Sequence, residues 1–142
     1  MSAVRVLGID LGSRRIGVAV SDATGVLASP LTVLERSGDL AADHRALAKL
    51  VREEEAERVV VGLPLSLSGA VGPAARAALE EAAAMADVVG VPVETFDERL
   101  TTVSANRSMM EQQLKARARR RIIDKVAAAV MLQAWLESRS AS

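Results

Sequence analysis

The order of short apolar runs along this 142-residue chain restricts its fold more than any other feature. Apolar runs at residues 4–9 and 16–20 are joined by a few turn residues, which predicts a β-hairpin, and residues 31–34 form a candidate third strand. Further along, helical periodicity alternates with short strand-like runs. Helices are predicted at 39–57, 74–86, 101–114 and 122–137, and strands at 58–63 and 91–96. This order predicts an α/β fold with a mixed five-stranded sheet, antiparallel over its first three strands and then parallel, with helices on both faces.

The length fits one domain, predicted over residues 1–138, followed by a frayed tail at 139–142. Half of the residues are apolar, which is enough for a core, but the chain has one Phe, one Trp and no Tyr. Small and branched aliphatic side chains must therefore fill the interior. Modules that bind single strands by stacking bases need several exposed aromatic side chains, so the composition excludes that class.

The supply of reactive side chains excludes further chemistries. The chain has no Cys, which removes disulfides, thiol nucleophiles and zinc knuckles, and its single His, His44, removes multi-histidine metal sites. A Ser-His-Asp triad has only His44 to use, and that residue lies in a charged helical stretch. Acid–base or metal chemistry therefore falls mainly to carboxylates.

Charge is balanced overall but unevenly distributed. The chain has 18 basic and 18 acidic residues, yet residues 99–125 carry a net charge of +6. The basic stretch within this segment, whose secondary structure the pattern does not decide, predicts contacts with a polynucleotide backbone, although such a run also suits a solvated face. Its candidate phosphate-binding residues are Arg117, Arg119, Arg120 and Arg121. The longest uncharged run, residues 59–75, is broken by two prolines, so no membrane segment is predicted and the expected location is the cytoplasm.

Four acidic residues lie on three separate predicted elements. Asp10 ends the first strand, Asp97 and Glu98 end the last, and Asp124 falls in the first turn of the final predicted helix. Each also has a structural interpretation: a turn residue, a surface ion pair and a helix-dipole partner, respectively. Together, with no Cys or second His to compete, they suit an oxygen-preferring cation, Mg²⁺ or Mn²⁺.

Two arginines follow the first of these acids. Arg14 and Arg15 offer guanidinium groups to a phosphate, although Arg15 is equally suited to hold the hairpin through a carboxylate.

Five motifs in series resemble the YqgF family, also called RuvX. They are Gly8-Ile9-Asp10-Leu11-Gly12, Arg15-Ile16-Gly17-Val18-Ala19-Val20-Ser21-Asp22, Val61-Gly62-Leu63-Pro64, Asp97-Glu98-Arg99-Leu100-Thr101-Thr102 and Ile123-Asp124-Lys125-Val126-Ala127-Ala128. The resemblance implies an RNase H-like fold with a central first strand, and a metal-dependent nuclease whose acidic residues are Asp10, Glu98 and Asp124. Arg15 and Thr101-Thr102 also match the family pattern, which implies that they contact the substrate or support the structure of the site.

Family members are linked to trimming the 5′ end of small-subunit ribosomal RNA, and some have been proposed to cut four-way DNA junctions. The resemblance therefore favours an endonuclease acting on structured RNA. A junction resolvase acting on branched DNA is the closest alternative, and symmetric cutting would require a homodimer rather than a monomer. Two further classes stay open: an actin-like phosphotransferase, for which the chain is short, and a nucleic-acid-binding protein without catalysis.

Overall fold

The computed structural model describes residues 5–65, 68–100 and 116–140, with backbone alone for Leu100, residues 116–121 and Ser140. Within these residues, five strands are β1 (Val6–Leu11), β2 (Arg15–Ser21), β3 (Ala28–Glu35), β4 (Arg58–Leu63) and β5 (Val93–Asp97). The α-helices are α1 (Leu40–Glu53), α2 (Pro73–Val89) and α3 (Ala116–Ser140), and a 3-10 turn (Glu98–Leu100) follows β5.

The strands form one mixed sheet in the order β3-β2-β1-β4-β5. The β1–β2 and β2–β3 pairs are antiparallel, whereas β1–β4 and β4–β5 are parallel. The sheet architecture predicted from the sequence is thereby confirmed, including the central position of β1. Parallel strands end at the same edge, so the carboxyl ends of β1, β4 and β5 lie together.

Helices cover both faces of the sheet because the strand side chains alternate. Leu7, Val18 and Val61 point to the face that packs on α1 and α2, where they join Leu47 and Met85 in one core. The opposite face packs on α3 through a second core. Its members from the sheet and from α3 include Val6, Ala19, Val60, Leu132 and Trp135. The run Val59-Val60-Val61 is buried on both faces, as its β-branched composition predicts.

The last helix begins earlier than predicted. It includes residues 116–121, which precede the predicted start at residue 122, because the Ala and Arg residues there are strong helix formers. Asp124 therefore lies in the third turn of α3, and the prediction that it occupies a first turn beside the helix dipole is wrong. The helix continues to Ser140, so residues 139 and 140 of the predicted tail are helical.

Two further predictions concern the place of Asp10 and the helix at 101–114. Asp10 lies inside β1 and not in the turn that follows it. The helix predicted at 101–114 lies outside the described residues. No helix in the described ranges is long and apolar enough to cross a membrane.

Candidate functional site

Asp10 is a buried carboxylate at the centre of the sheet. It is only 8% exposed, and alternation along β1 turns it toward the face covered by α3. Gly17 of β2 lies opposite Asp10. On the other side Ile9 pairs with Val61, so Gly62 of β4 is the next residue in register with Asp10. A glycine thus flanks Asp10 on each neighbouring strand, about 5 Å away.

Gly17 is the place where α3 crosses the sheet. A Cβ atom built on Gly17 would lie 2.1 Å from the backbone oxygen of Asp124, a distance that no side chain tolerates. The absence of a side chain therefore lets the backbone of Asp124 pass directly over β2, beside Asp10. The side chain of Asp124 accepts a hydrogen bond at its Oδ2 from Nε of Arg15 at 2.8 Å, and both side chains are 19% exposed.

Gly62 in the same way allows Glu98 to approach the sheet closely. A Cβ atom on Gly62 would lie 2.6 Å from Oε1 of Glu98, so this carboxylate rests on the surface of β4. Residues in register on adjacent strands present the same face, and the Glu98 carboxylate therefore lies on the same side of the sheet as Asp10. The acid that follows β5 reaches the strand next to β1 without being part of either strand.

Asp97 has a different surrounding. Its carboxylate accepts hydrogen bonds from the backbone N–H of Arg99 at 2.9 Å and from Nη2 of Arg99 at 2.7 Å. These bonds and the adjacent guanidinium charge hold the pKa of Asp97 below its ordinary value. Phe96 packs on the α3 side, so Asp97 alternates to the other face. Glu98, and not Asp97, therefore lies over the strand beside Asp10.

The three acids supply only carboxylate oxygens, the donors that Mg²⁺ and Mn²⁺ prefer. In the ranges 5–65, 68–100 and 116–140, however, no group of three His, Cys, Asp or Glu side chains is arranged to hold a metal ion. Asp124 contacts the Arg15 guanidinium, a cation that occupies one of its carboxylate oxygens. The fold places Asp10 on β1, Glu98 over β4 and the backbone of Asp124 over β2, so the three acids lie on neighbouring parts of one face of the sheet.

The predicted phosphate-binding residues fall into two groups. Arg14 is exposed in the turn between β1 and β2, while Arg15 begins β2 and contacts the Asp124 carboxylate. The hypothesis that Arg15 binds a carboxylate thus describes its observed contact, although the partner lies on α3. The remaining residues, Arg117, Arg119, Arg120 and Arg121, belong to the first turns of α3, and their side chains lie outside the described atoms.

Sequence reasoning missed two sets of residues around the site. Gly17 and Gly62 interrupt strands, and a glycine inside a strand is itself a signal of close approach by another group. The second set links Arg36, His44 and Glu81 on the opposite face of the sheet. No spacing rule connects these three, because they lie on separate elements.

Comparison with known proteins decides the family. The family model RuvX, described as Holliday junction resolvase, matches residues 4–138. The chain belongs to the RuvX family. The resemblance stated from the sequence motifs is therefore confirmed. A Mycobacterium sp. (strain KMS) relative named "Putative pre-16S rRNA nuclease" is 50% identical over 139 residues, covering 97% of this chain and 82% of the relative.

A second relative and a solved structure are also similar to this RuvX chain. A Myxococcus xanthus protein of the same name is 45% identical over 135 residues, covering 95% of this chain and 89% of its own. A RuvC of Thermus thermophilus, solved in complex with a Holliday junction substrate, matches with a TM-score of 0.60 and 19% identity over 96% of each chain. At 19% identity, that likeness confirms the RNase H-like fold of this RuvX chain and nothing beyond the fold.

Proposed function

We propose that this RuvX-family chain is a divalent-metal-dependent endonuclease that hydrolyses phosphodiester bonds, and that it processes the 5′ end of pre-16S rRNA. Relatives 45–50% identical over nearly the whole chain carry the name of a pre-16S rRNA nuclease. The structural observation that supports a catalytic site is the buried Asp10, flanked by two glycines over which Glu98 and the backbone of Asp124 lie. The proposal places the protein in the cytoplasm, where its RNA substrate is made.

Asp10, Glu98 and Asp124 are the residues proposed to hold Mg²⁺ or Mn²⁺. Carboxylates from a strand, from the turn after β5 and from α3 meet the preference of these ions for oxygen donors. A cation held by these carboxylates would lower the pKa of an attacking water and neutralise charge on the leaving oxygen.

The chain's own cations serve the substrate. Arg14, exposed in the β1–β2 turn, and the basic first turns of α3 at Arg117, Arg119, Arg120 and Arg121 are proposed to bind phosphates of the polynucleotide backbone. Arg15, which donates a hydrogen bond to the Asp124 carboxylate, is proposed to contact the phosphate nearest the acids.

The proposal is tested with Asp10→Asn, which keeps the size of the side chain and removes its charge. Labelled RNA carrying the 5′ precursor region of 16S rRNA is incubated with wild type and variant, in Mn²⁺ and in chelator. We expect site-specific cleavage by wild type in Mn²⁺ only, no cleavage by the variant, and similar RNA affinity for both. Full cleavage by the variant, or cleavage in chelator, would refute the mechanism.

A junction resolvase is the second candidate, because the matching family model bears that description. Symmetric cutting of a four-way DNA junction needs two active sites and hence a homodimer. The same incubation with a labelled four-way junction, together with sedimentation of the protein, separates the two. Paired symmetric nicks by a dimer favour the resolvase, whereas a monomer that cuts only the RNA favours rRNA processing.

A further inference from the structure

The turn between β1 and β2 is held by three hydrogen bonds, two of which come from one residue outside it. Within the turn, the N–H of Gly12 donates to the backbone oxygen of Arg15 at 2.9 Å. The backbone N–H of Arg36 donates to the oxygen of Arg14 at 2.9 Å, and Nε of Arg36 donates to the oxygen of Gly12 at 2.9 Å. Arg36, just after β3, therefore binds both ends of the turn.

Arg36 is itself fixed from the helical layer on the far face of the sheet. Its Nη1 and Nη2 donate to the two carboxylate oxygens of Glu81 on α2, at 2.8 and 3.0 Å. Nε2 of His44 on α1 lies 3.0 Å from Oε2 of the same carboxylate. The side chains of Arg36, Glu81 and His44 are 16%, 11% and 3% exposed. The two hydrogen bonds to Glu81 therefore fix the orientation of the Arg36 guanidinium at a position with little access to solvent.

The turn that Arg36 binds joins the two residues on which the site depends. Asp10 precedes it on β1, and Arg15, which contacts Asp124, follows it on β2. A continuous set of contacts therefore runs from His44 through Glu81 and Arg36 to the turn, and then through Arg15 to α3. It connects the two helical layers across the end of the sheet.

We propose that Arg36 is a positioning residue for phosphodiester hydrolysis, which holds the turn so that Asp10 and Arg15 keep the geometry that the reaction needs. This inference rests on the proposed nuclease function. Arg36 lies on the side of the turn facing α2, away from Asp124, and acts only through the turn. Arginine is required because a single planar fork donates to Glu81 while Nε remains directed at Gly12, which a lysine ammonium does not reproduce.

The test compares Arg36→Lys with Arg58→Lys in the full chain. Arg58 pairs with Glu94 at 3.3 Å near the start of β4, so the control makes the same chemical change in an Arg–Glu pair remote from the turn. Cleavage of the labelled 16S precursor RNA is measured in Mn²⁺ at several RNA concentrations. We expect Arg36→Lys to lower kcat by about tenfold to a hundredfold while KM stays within about threefold, and Arg58→Lys to leave both unchanged.

Hydrogen exchange adds a readout that is independent of turnover. The amides of Gly12 and of residue 36 are expected to exchange faster in Arg36→Lys and at the wild-type rate in Arg58→Lys, since only the first change loosens the turn. Should Arg36→Lys fold poorly, the double change Arg36→Met with Glu81→Gln removes both charges of the pair together and keeps a hydrogen-bond partner for His44. The same fall in kcat is expected.

The outcomes separate the two proposals. If wild type cleaves RNA and Arg36→Lys matches it in kcat, the positioning role is overturned and the nuclease function stands. An equal fall in Arg58→Lys also overturns it, because the effect then follows from stability alone. If wild type cleaves neither RNA nor junction DNA, both proposals fail.

Discussion

Arg15 and Asp124, 109 residues apart in sequence, are joined by a hydrogen bond of 2.8 Å from Nε to Oδ2. The bond ties the first residue of β2 to the third turn of α3. Both side chains are only 19% exposed, so the ion pair is screened less than a surface pair. In the proposed function, Asp124 also binds a divalent cation, and the guanidinium and the metal therefore compete for one carboxylate.

Arg15→Gln is expected to bind Mn²⁺ more tightly than wild type in the absence of nucleic acid, by about threefold to tenfold, because a competing cation is gone. Titration calorimetry or Mn²⁺ electron paramagnetic resonance measures the affinity. Arg14→Gln removes the same charge from the exposed neighbouring position and controls for the general field. An equal gain in both variants contradicts the competition, as does a gain that survives Asp124→Asn.

Glu98→Gln and Asp97→Asn are expected to differ sharply. Glu98 lies over Gly62 beside Asp10, whereas Asp97 is bound by Arg99. We expect Glu98→Gln to lower cleavage by at least about a hundredfold, as loss of a metal ligand does, and Asp97→Asn by less than about tenfold. Single-turnover cleavage of the RNA measures both. Similar losses in the two variants would show that Asp97 shares the ligand role.

Alanine at the two glycines beside Asp10 is expected to separate stability from activity. At Gly62 the new methyl meets the flexible end of Glu98, so unfolding free energy changes by less than about 1 kcal/mol while cleavage falls by about tenfold or more. At Gly17 it meets the backbone of α3, so stability falls by about 1–3 kcal/mol or more.

Urea unfolding followed by the fluorescence of Trp135, the only tryptophan and a buried residue of α3, measures these stabilities. A Gly17→Ala variant as stable as wild type would mean that α3 does not press on β2 in solution.

Glu81 is expected to make the protein sensitive to acid. Burial raises the pKa of its carboxyl, but hydrogen bonds and charge from Arg36 and His44 outweigh burial and hold the pKa below its ordinary value. A carboxyl with a lowered folded pKa adds stability above its unfolded pKa, about 4.3, and this contribution is lost as pH falls through the folded pKa.

The Glu81→Gln variant is therefore expected to lose about 1–3 kcal/mol of unfolding free energy at neutral pH and to show a shallower further loss in acid. Urea midpoints between neutral pH and acid measure the profile. Glu80→Gln changes an exposed residue of the same helix and is expected to follow wild type. A Glu81→Gln profile parallel to that of wild type would contradict the assignment.

Strands and the family were predictable because their signals are local. The strand predicted at residues 58–63 has the same bounds as β4. A continuous β-branched run indicates a strand buried on both faces, whichever strands lie beside it. The helical state of residues 116–121 was not predicted, because their clustered positive charge opposes a helix although Ala and Arg individually favour one. Their helical state places Asp124 two turns further into the helix than the sequence indicates.

Locating the candidate site required the register of the sheet, which the sequence does not show. Gly17 and Gly62, as glycines inside strands, indicate that another group comes close, but which group does so follows only from their lying opposite Asp10 on two different strands. The Arg36–Glu81 pair joins a loop to α2 across 45 residues, and no periodicity predicts such a partner. Pairings of this kind depend on how the layers pack.

The position of Asp124 on the C-terminal helix has a consequence for biosynthesis. Polypeptides are made from the amino end, so the whole sheet and both helices of the opposite layer emerge before α3. A chain interrupted at that stage possesses Asp10 and Glu98 but lacks the third acid, and its Val6, Ala19 and Val60 have no cover. Under the proposed function, a chain that has not yet produced α3 lacks one proposed metal ligand and is expected not to cut RNA, while its uncovered apolar face favours aggregation.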